Sequence, residues 1–318
     1  MTKHRDSDTS KPSQVFGFAE YGSDRVAQFF TVSSPHPDAD QVLVDMTASG
    51  VNPADIKVRN GERQGSVPVE FPMAMGREAA GVVLAVGDNV SHVAPGDRVF
   101  GAAAAGTGTF AERVLLSSSS TAHIPDGVSD AQAASIPVSI GTAYDALDEL
   151  ELPAGSTLLV LGAGGGVGTA ACGLAALRDV RTIGVASNEK KELVEKLRAT
   201  HIEKGDGWIE RVRELAPEGV DAIIDAVGGE TLREASTLLK APGAIRSAAD
   251  HQIAADLGGS AVQRRRTTPI FAEIAELINR GSFSPVISAS VDLAHAAKAV
   301  AVVESGHAVG NVVITRGE

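Results

Sequence analysis

The stretch VLGAGGGVGTAACGLA, residues 160–175, places five glycines among the seven positions 162–168. Each glycine weakens backbone order by roughly 0.5–1 kcal/mol relative to alanine, so this concentration needs a reason. An apolar run, TLLVLG, precedes the glycines, and an alanine-rich stretch, TAACGLAALR, follows them. The sequence therefore predicts a buried strand, a tight glycine turn and a helix.

A second apolar run, RTIGVAS at residues 181–187, completes a strand–helix–strand unit. Within it, Ala163-x-Gly165-x-x-Gly168 has the spacing of a dinucleotide-binding turn, with alanine in place of the first glycine. Gly165 would let the backbone approach a pyrophosphate, and Gly168 would let the helix lie close to the strand. Free N–H groups at the start of the helix would hold the anion. The predicted cofactor loop is Ala163, Gly164, Gly165, Gly166, Val167 and Gly168.

The end of the second strand indicates which dinucleotide binds. A NAD site carries an acidic residue about 20 positions after the glycine motif, where it binds the ribose 2′-hydroxyl. Here Ser187 and Asn188 occupy that region, and Lys190 and Lys191 follow close behind. Small polar groups leave room for a 2′-phosphate, and an ammonium group pairs with it, which favours NADP(H). The alternative is that the lysines of this segment are solvated residues in the first turn of the next helix.

The remaining pattern predicts two domains of different architecture. Before about residue 125, short β-rich runs are separated by Gly, Pro, Asn and Asp, which is typical of partly closed sheets. From residue 129 onward, helical periodicity alternates with short apolar strands, which predicts a parallel sheet covered by helices. The segment from about residue 285 returns to strand, helix and strand. Periodicity leaves open whether it extends the parallel sheet or folds back onto the first domain.

Composition limits the kinds of partner. A net charge of −12 on 318 residues would repel a nucleic acid or an anionic membrane, so neither is expected. The one basic run, Arg264-Arg265-Arg266, is expected to be a solvated or domain-joining segment. Cys172, the only cysteine, indicates a reducing compartment and is expected to be a packing residue. Residues 1–13 read as a disordered polar tail, and no apolar run approaches the ~18–20 residues of a membrane span, so a cytoplasmic protein is predicted.

Seven segments together resemble the medium-chain dehydrogenase/reductase superfamily, in its zinc-independent quinone oxidoreductase-like branch. The similarity runs from about Gln14 to the end of the chain and keeps the family's order of motifs. The segments are GVNPADIKVRNG (50–61), FPMAMGREAAGVVLAVGDNVSHVAPGDRVFG (71–101), GTFAERVLL (108–116), AASIPVSIGTAYDAL (133–147), the glycine loop, DAIIDAVGGETL (221–232) and GHAVGNVVIT (306–315).

The resemblance implies an α/β chain with a site in the cleft between two domains. The first is a β-rich GroES-like substrate domain, a partly closed β-barrel over residues 14–125 that is completed by residues 266–318. The second is a Rossmann-type, doubly wound parallel-sheet domain over residues 126–265 that binds NADP. The resemblance also implies a homodimer formed by edge-strand pairing of the cofactor domains.

The same resemblance allows a test for catalytic zinc, which needs three protein ligands. Zinc alcohol dehydrogenases of the superfamily carry a cysteine ligand where this chain has Asn52, and a histidine ligand where it has Arg77. An amide is a poor zinc ligand and a guanidinium is unsuitable, so only Glu78 remains. No metal is therefore expected.

Without a Lewis acid, the expected reaction is hydride transfer from NADPH to a quinone or to the β-carbon of an enone, with the protein orienting and desolvating the reactants. The resemblance places Asn52, Lys57 and Thr142 near the nicotinamide. Asn52 would donate to the acceptor carbonyl or to the nicotinamide ribose, or else cap a turn. Lys57 stands where some relatives have tyrosine, and it would polarise a carbonyl or remain solvated.

Further cofactor contacts implied by the resemblance are Val227 and Asn311, the latter standing where the family often has lysine. An aromatic content of 4% offers few rings for a flat quinone and shifts the expectation toward small enones. Two other hypotheses stay open. An enoyl-thioester reductase would need a basic entrance for a carrier phosphate, for which the arginine run is the candidate. A non-catalytic NADPH-binding protein would keep the glycine loop alone.

Overall fold

The computed structural model describes residues 12–317. Most of the predicted tail lies outside these residues, whereas Ser13 is buried and begins the first strand. The described strands are β1 (Ser13–Phe18), β2 (Ala27–Val32), β3 (Gln41–Val51), β4 (Met73–Ala74), β5 (Glu78–Val86), β6 (Arg98–Ala103), β7 (Arg113–His123), β8 (Thr157–Leu161), β9 (Arg181–Ala186), β10 (Ala199–Glu203), β11 (Ala222–Asp225), β12 (Ile245–Ser247), β13 (Ser260–Ala261), β14 (Ile287–Asp292) and β15 (Asn311–Thr315).

The described α-helices alternate with these strands mainly in the middle of the chain. They are α1 (Pro53–Arg59), α2 (Asp130–Ala134), α3 (Gly141–Leu150), α4 (Gly166–Leu177), α5 (Lys191–Lys196), α6 (Trp208–Leu215), α7 (Gly229–Ser236), α8 (His251–Asp256), α9 (Thr268–Asn279) and α10 (Ala296–Glu304). Within residues 12–317, no helix has the length and apolar character that crossing a membrane requires.

The central part of the chain forms a parallel sheet with helices on both faces. Its strand order is β10-β9-β8-β11-β12-β13, the order of a doubly wound dinucleotide-binding domain. All five residues of β8 are buried. Leu158 and Val160 pack on the side of α3, α4 and α9, whereas Leu159 and Leu161 pack on the side of α6, α7 and α8. The predicted doubly wound domain is confirmed.

The β-rich part contains a six-stranded sheet in the order β14-β15-β3-β5-β6-β7. Strand β7 also pairs antiparallel with the first half of β3, so β3, β5, β6 and β7 close into a ring. The predicted partly closed barrel is therefore present. Strand β15 pairs antiparallel with β3, with Val312 opposite Val51, so the C-terminal segment folds back onto the first domain.

Two connections position the cleft between the domains. Helix α1 is fixed against α10 because the fully buried Arg59 forms an ion pair with Glu304. The chain enters the parallel-sheet domain through α2, a π-helical turn at Ile136–Ile140, and α3. Single π-helical turns often occur at functional sites, and this one borders the cleft.

Candidate functional site

A cleft of about 580 Å³ lies between the two domains, at the carboxyl ends of β8, β9 and β11. In doubly wound sheets, ligands bind at this edge. Three predicted site residues, Ala163, Asn188 and Lys191, do not line the cleft. The predicted residues that it brings together are Asn52, Lys57, Thr142, Gly164, Gly165, Gly166, Val167, Gly168, Ser187, Val227 and Asn311.

Within the glycine loop, Gly168 is required by the packing of the protein itself, whereas Gly165 is not. Ala163 is fully buried, and its N–H donates to the carbonyl of Val185 over 3.0 Å, so it supports the loop from behind. A Cβ on Gly168 would lie 2.1 Å from the oxygen of Gly162, because α4 begins directly against the loop backbone. A Cβ on Gly165 would meet only that same oxygen, at 3.6 Å. The protein itself leaves the space above Gly165 open.

The start of α4 is suited to an anion. Gly165 is the N-cap of this helix in an extended conformation, and it offers no side-chain hydrogen bond to the first turn. The first N–H groups of a helix lack partners within the helix, and they lie at its positive end. Open space and uncapped amides together fit the pyrophosphate of a dinucleotide.

The basic groups nearest this loop are Lys190 and Lys204. Lys190 extends across Gly164, and its Nζ donates to the carbonyl of Ala308 over 2.7 Å. Burial, and then the neighbouring charge of Lys204, lower the pKa of Lys190. Lys191 instead points away from the cleft with 56% of its side chain exposed, and its Nζ lies 4.0 Å from Oε1 of Glu195. Asn188 is likewise exposed.

Both polar atoms of the Asn311 side chain are hydrogen-bonded within the protein. Its Oδ1 accepts from the Oγ of Ser139 over 2.5 Å, and its Nδ2 donates to the carbonyl of Val286 over 3.1 Å. The preceding Gly310 donates its N–H to the carbonyl of Gly164 over 2.9 Å. The C-terminal segment is thereby held against the glycine loop.

Val227 is an exposed apolar side chain on the opposite wall. It is 52% exposed and follows β11. Oδ1 of the fully buried Asp225 accepts from the N–H groups of Val227 and Gly228 over 2.9 and 2.8 Å. The turn that presents Val227 to the cleft is therefore fixed by a buried carboxylate.

Asn52 is oriented by two buried carboxyl groups. It is 5% exposed, and its Nδ2 donates to Oε1 of Glu78 over 2.6 Å. Its backbone N–H donates to Oδ2 of Asp55 over 2.8 Å, while Oε2 of Glu78 accepts from the N–H of Val138 over 2.7 Å. Burial raises the pKa of Asp55 to about 7 and that of Glu78 to about 8, although the contacts with Asn52 oppose the rise.

The arginine run, expected to be a solvated or domain-joining segment, connects β13 to α9, and only part of it is solvated. Arg264 and Arg266 line the cleft, and Nε of Arg264 donates to Oγ1 of Thr142 over 3.1 Å. Arg265 alone faces outward, where it pairs with Asp145 and with Asp148. The segment is neither helix nor strand, and alternate side chains point to opposite sides. Counting charges along the sequence could not detect this alternation.

Arg63 is a further residue of the cleft that sequence reasoning missed. It follows α1 in a turn-rich segment, and no motif marks it.

Among residues 12–317 there is no group of three or more His, Cys, Asp or Glu side chains arranged to hold a metal ion. The expectation that the protein works without zinc stays a prediction.

Comparison with known proteins agrees with this architecture. Residues 38–126 match the family described as alcohol dehydrogenase GroES-like domain, and residues 197–314 match the family described as zinc-binding dehydrogenase. The human mitochondrial NAD(P)H oxidoreductase RTN4IP1 is 30% identical over 323 residues, which cover 86% of this chain and 81% of that protein.

Two solved structures show the same fold over almost the whole chain. The quinone oxidoreductase of Coxiella burnetii has a TM-score of 0.86 at 25% identity, covering 96% of this chain and 100% of that one. A mycobacterial protein in complex with NADPH has a TM-score of 0.84 at 28% identity, covering 95% and 99%.

The fold and the cleft define a two-domain, dinucleotide-binding oxidoreductase, and these relatives support a nicotinamide cofactor. The chain belongs to the medium-chain dehydrogenase/reductase superfamily, among the relatives of the quinone oxidoreductases. The resemblance noted in the sequence is confirmed.

Proposed function

We propose that this protein is an NADPH-dependent reductase that acts on a quinone or on an α,β-unsaturated carbonyl compound. The observation that carries the proposal is a single cleft in which a dinucleotide-binding loop faces polar side chains from the other domain. The quinone oxidoreductase and NADPH-bound relatives support the same assignment.

The residues at the parallel-sheet side would hold the cofactor. The open backbone at Gly165 and the uncapped start of α4 would bind the pyrophosphate. Lys190 and Lys204 would pair with a 2′-phosphate beside Ser187. When bound, NADPH supplies a hydride from its nicotinamide ring, and the acceptor gains that hydride and one proton.

The residues at the barrel side would orient the acceptor. The amide of Asn52 has two N–H groups, and since Glu78 engages Nδ2 from one side, the other N–H is left to donate to a carbonyl oxygen. The ammonium group of Lys57 lines the cleft and would stabilise negative charge on the same oxygen. Thr142 accepts from Arg264, so its own hydroxyl proton remains to be donated.

Steady-state oxidation of NADPH tests this function with a panel of naphthoquinone, a small enone and a crotonyl thioester. Turnover of the quinone or the enone is expected. Turnover of the thioester alone would instead assign an enoyl-thioester reductase. Clear NADPH binding without turnover of any acceptor would contradict an enzymatic role and leave a binding protein.

We also propose the predicted homodimer, formed along the edge of the parallel sheet at β13 (Ser260–Ala261). A short edge strand with unpaired backbone groups can pair with its symmetry mate. Measurement of the mass in solution should give twice the mass of one chain, and a monomer would overturn the proposal.

The cytoplasmic location stays a prediction that fractionation of cells would test.

A further inference from the structure

The charge of the cleft is opposite to that of the protein. The chain carries a net charge of −12, yet no Asp or Glu is found among the described residues that line the cleft. Positive charge concentrated in a partly enclosed space attracts anions and raises their local concentration. The basic side chains that line the cleft are Lys57, Arg63, Lys190, Lys204, Arg264 and Arg266.

These cations form two groups. Lys190 and Lys204 lie together beside the glycine loop and are accounted for by a cofactor phosphate. The acceptor-side cluster consists of Lys57, Arg63, Arg264 and Arg266. Burial lowers the pKa of Arg264, and the charges of Arg63 and Arg77 lower it further. Burial lowers the pKa of Arg266 to about 10, with added repulsion from Arg77 and Arg264.

The acceptor-side cluster lacks anionic partners within the described chain. None of its four members forms an ion pair within 4.0 Å, in contrast to Arg265 next to them, which pairs with two aspartates. Nε of Arg266 is buried and has no hydrogen-bond partner. The acids that interact with Arg266, Asp55 and Glu78, accept hydrogen bonds from Asn52 and Val138, and the acid that interacts with Arg264, Asp145, is paired with Arg265. Such a set of half-buried cations is unfavourable unless a ligand brings negative charge.

The position of the acceptor-side cluster indicates which kind of ligand would supply this negative charge. Arg264 contacts Thr142, and Arg266 interacts with the buried acids behind Asn52. Both contacts lie at the side of the cleft assigned above to the acceptor, whereas the glycine loop and the lysine pair serve the cofactor. Guanidinium groups bind carboxylates through paired N–H···O bonds, which fits a small anion near the reacting atoms.

We propose that the physiological acceptor is an α,β-unsaturated carbonyl compound that carries a carboxylate close to its double bond, held by Arg63 and Arg264. This inference rests on the proposed function. In the reaction, the β-carbon gains the hydride and the α-carbon gains a proton, while NADPH is oxidised to NADP⁺ and the carboxylate is unchanged. A carrier or coenzyme phosphate is the weaker candidate, because it lies many bonds away from the double bond of a thioester.

Acetylacrylate and its neutral methyl ester form a matched pair of enones for the test. The full-length protein should show a kcat/KM about 10-fold or more higher for the carboxylate than for the ester. Arg63→Gln and Arg264→Gln should each remove most of that difference, because kcat/KM falls further for acetylacrylate than for the ester. In Arg264→Gln a fall common to both substrates is also expected, since Thr142 loses its contact with Arg264. The affinity for NADPH, measured by fluorescence titration, should change less than about 3-fold in both variants.

Arg280→Gln is the matched control, since it also removes one positive charge but lies on the exposed side after α9, paired with Glu276. It should leave the preference for acetylacrylate unchanged.

Equal kcat/KM for the acid and the ester would overturn the inference while NADPH-dependent reduction stands. A loss of NADPH affinity in the arginine variants, or a preference for crotonyl-coenzyme A over a neutral crotonyl thioester with none for acetylacrylate, would also overturn it. Absence of turnover with every acceptor would instead contradict the proposed function.

Discussion

At the scale of single residues, the cleft is lined by side chains whose immediate neighbours in the sequence are chemically similar but point away from it. Lys190 and Lys191 are adjacent, but Lys190 crosses Gly164 into the cleft while Lys191 stays with the exposed face of α5. The distinction arises because a single turn of 3-10 helix at Asn188–Lys190 precedes α5 and sets which lysine faces the loop. We therefore expect Lys190, and not Lys191, to contribute to cofactor selection.

Replacement of these lysines should therefore have unequal effects. Lys190→Gln and Lys204→Gln should each weaken NADPH binding by about 1–2 kcal/mol, roughly 5- to 30-fold, because each removes a charge-assisted contact with the 2′-phosphate. NADH binding should change little. Lys191→Gln is the matched control, and equilibrium titration with both nucleotides makes the comparison. Equal weakening by Lys191→Gln would contradict the assignment.

The sequence marked Lys190 and Lys191 together but could not show which of them lines the cleft, since spacing defines a segment and not the direction of its side chains. The same holds for Arg264 and Arg266, whose inward direction depends on an irregular segment with a positive φ at Arg266. Asn52 was singled out correctly as a cleft residue, but its bond to Glu78 joins residues 26 positions apart. Such long-range contacts are not encoded in any local pattern.

At the scale of secondary-structure elements, α1 is attached to the barrel by buried carboxyl groups. Asp55 on α1 accepts from the backbone N–H of Asn52, the N-cap of that helix. Glu78 at the start of β5 accepts from the side chain of Asn52 and from the N–H of Val138 in the π-helical turn. Three elements thus meet at two acids that are almost completely buried. Their ionisation state should influence the stability of the whole connection.

The burial of Glu78 predicts a specific pH dependence of stability. Its pKa rises from 4.5 to about 8 on folding, so between these values the folded chain binds a proton that the unfolded chain has lost. The free energy of unfolding should therefore fall as pH rises through this range, by at most about 1.4 kcal/mol per pH unit for this group. Glu78→Gln stays neutral and should show a shallower fall.

Urea unfolding of both proteins between about pH 5 and pH 8 measures the two slopes, and every other titrating group is shared between them. The variant is expected to be less stable at acidic pH, because the N–H of Val138 loses its acceptor. Parallel slopes for the two proteins would show that Glu78 ionises as readily as in water, contrary to its burial.

The elements themselves were largely predictable. The strand–loop–helix unit at β8 and α4 followed from apolar runs that flank a glycine cluster, because burial on both faces and a tight turn leave a clear pattern. The π-helical turn at Ile136–Ile140 was not predicted, since its residues also suit an ordinary helix. Its position depends on contacts with Glu78 and Asn311, which belong to other elements.

At the scale of the whole molecule, an acidic surface surrounds a basic cleft formed between two domains. This arrangement favours the entry of small anions into the cleft. The basic character of the cleft was not evident from the net charge, because that value sums residues of the surface and residues of the cleft. The change in sequence pattern near residue 125 did predict a β-rich part followed by alternating helices and strands, while the bounds of the domains stay a prediction.

Removal of metal ions provides a test at this scale. The resemblance implies that Asn52 and Arg77 stand where zinc-dependent members have ligands, so treatment with EDTA is expected to leave NADPH oxidation unchanged, and elemental analysis is expected to find less than one zinc per chain. A holoenzyme whose activity is lost on chelation and restored by Zn²⁺ would contradict the prediction of zinc independence.

The central claim is that the open backbone at Gly165 accommodates the pyrophosphate of NADPH, and calorimetric titration of Gly165→Val tests it most directly. A Cβ at this position meets only the oxygen of Gly162 at 3.6 Å, and we expect the two methyl groups of valine to extend from it into the cleft. The variant should therefore keep the wild-type melting temperature within about 3 °C and lose measurable NADPH binding, with Gly165→Ala intermediate. A Gly165→Val protein that binds NADPH as tightly as the wild type would contradict the account.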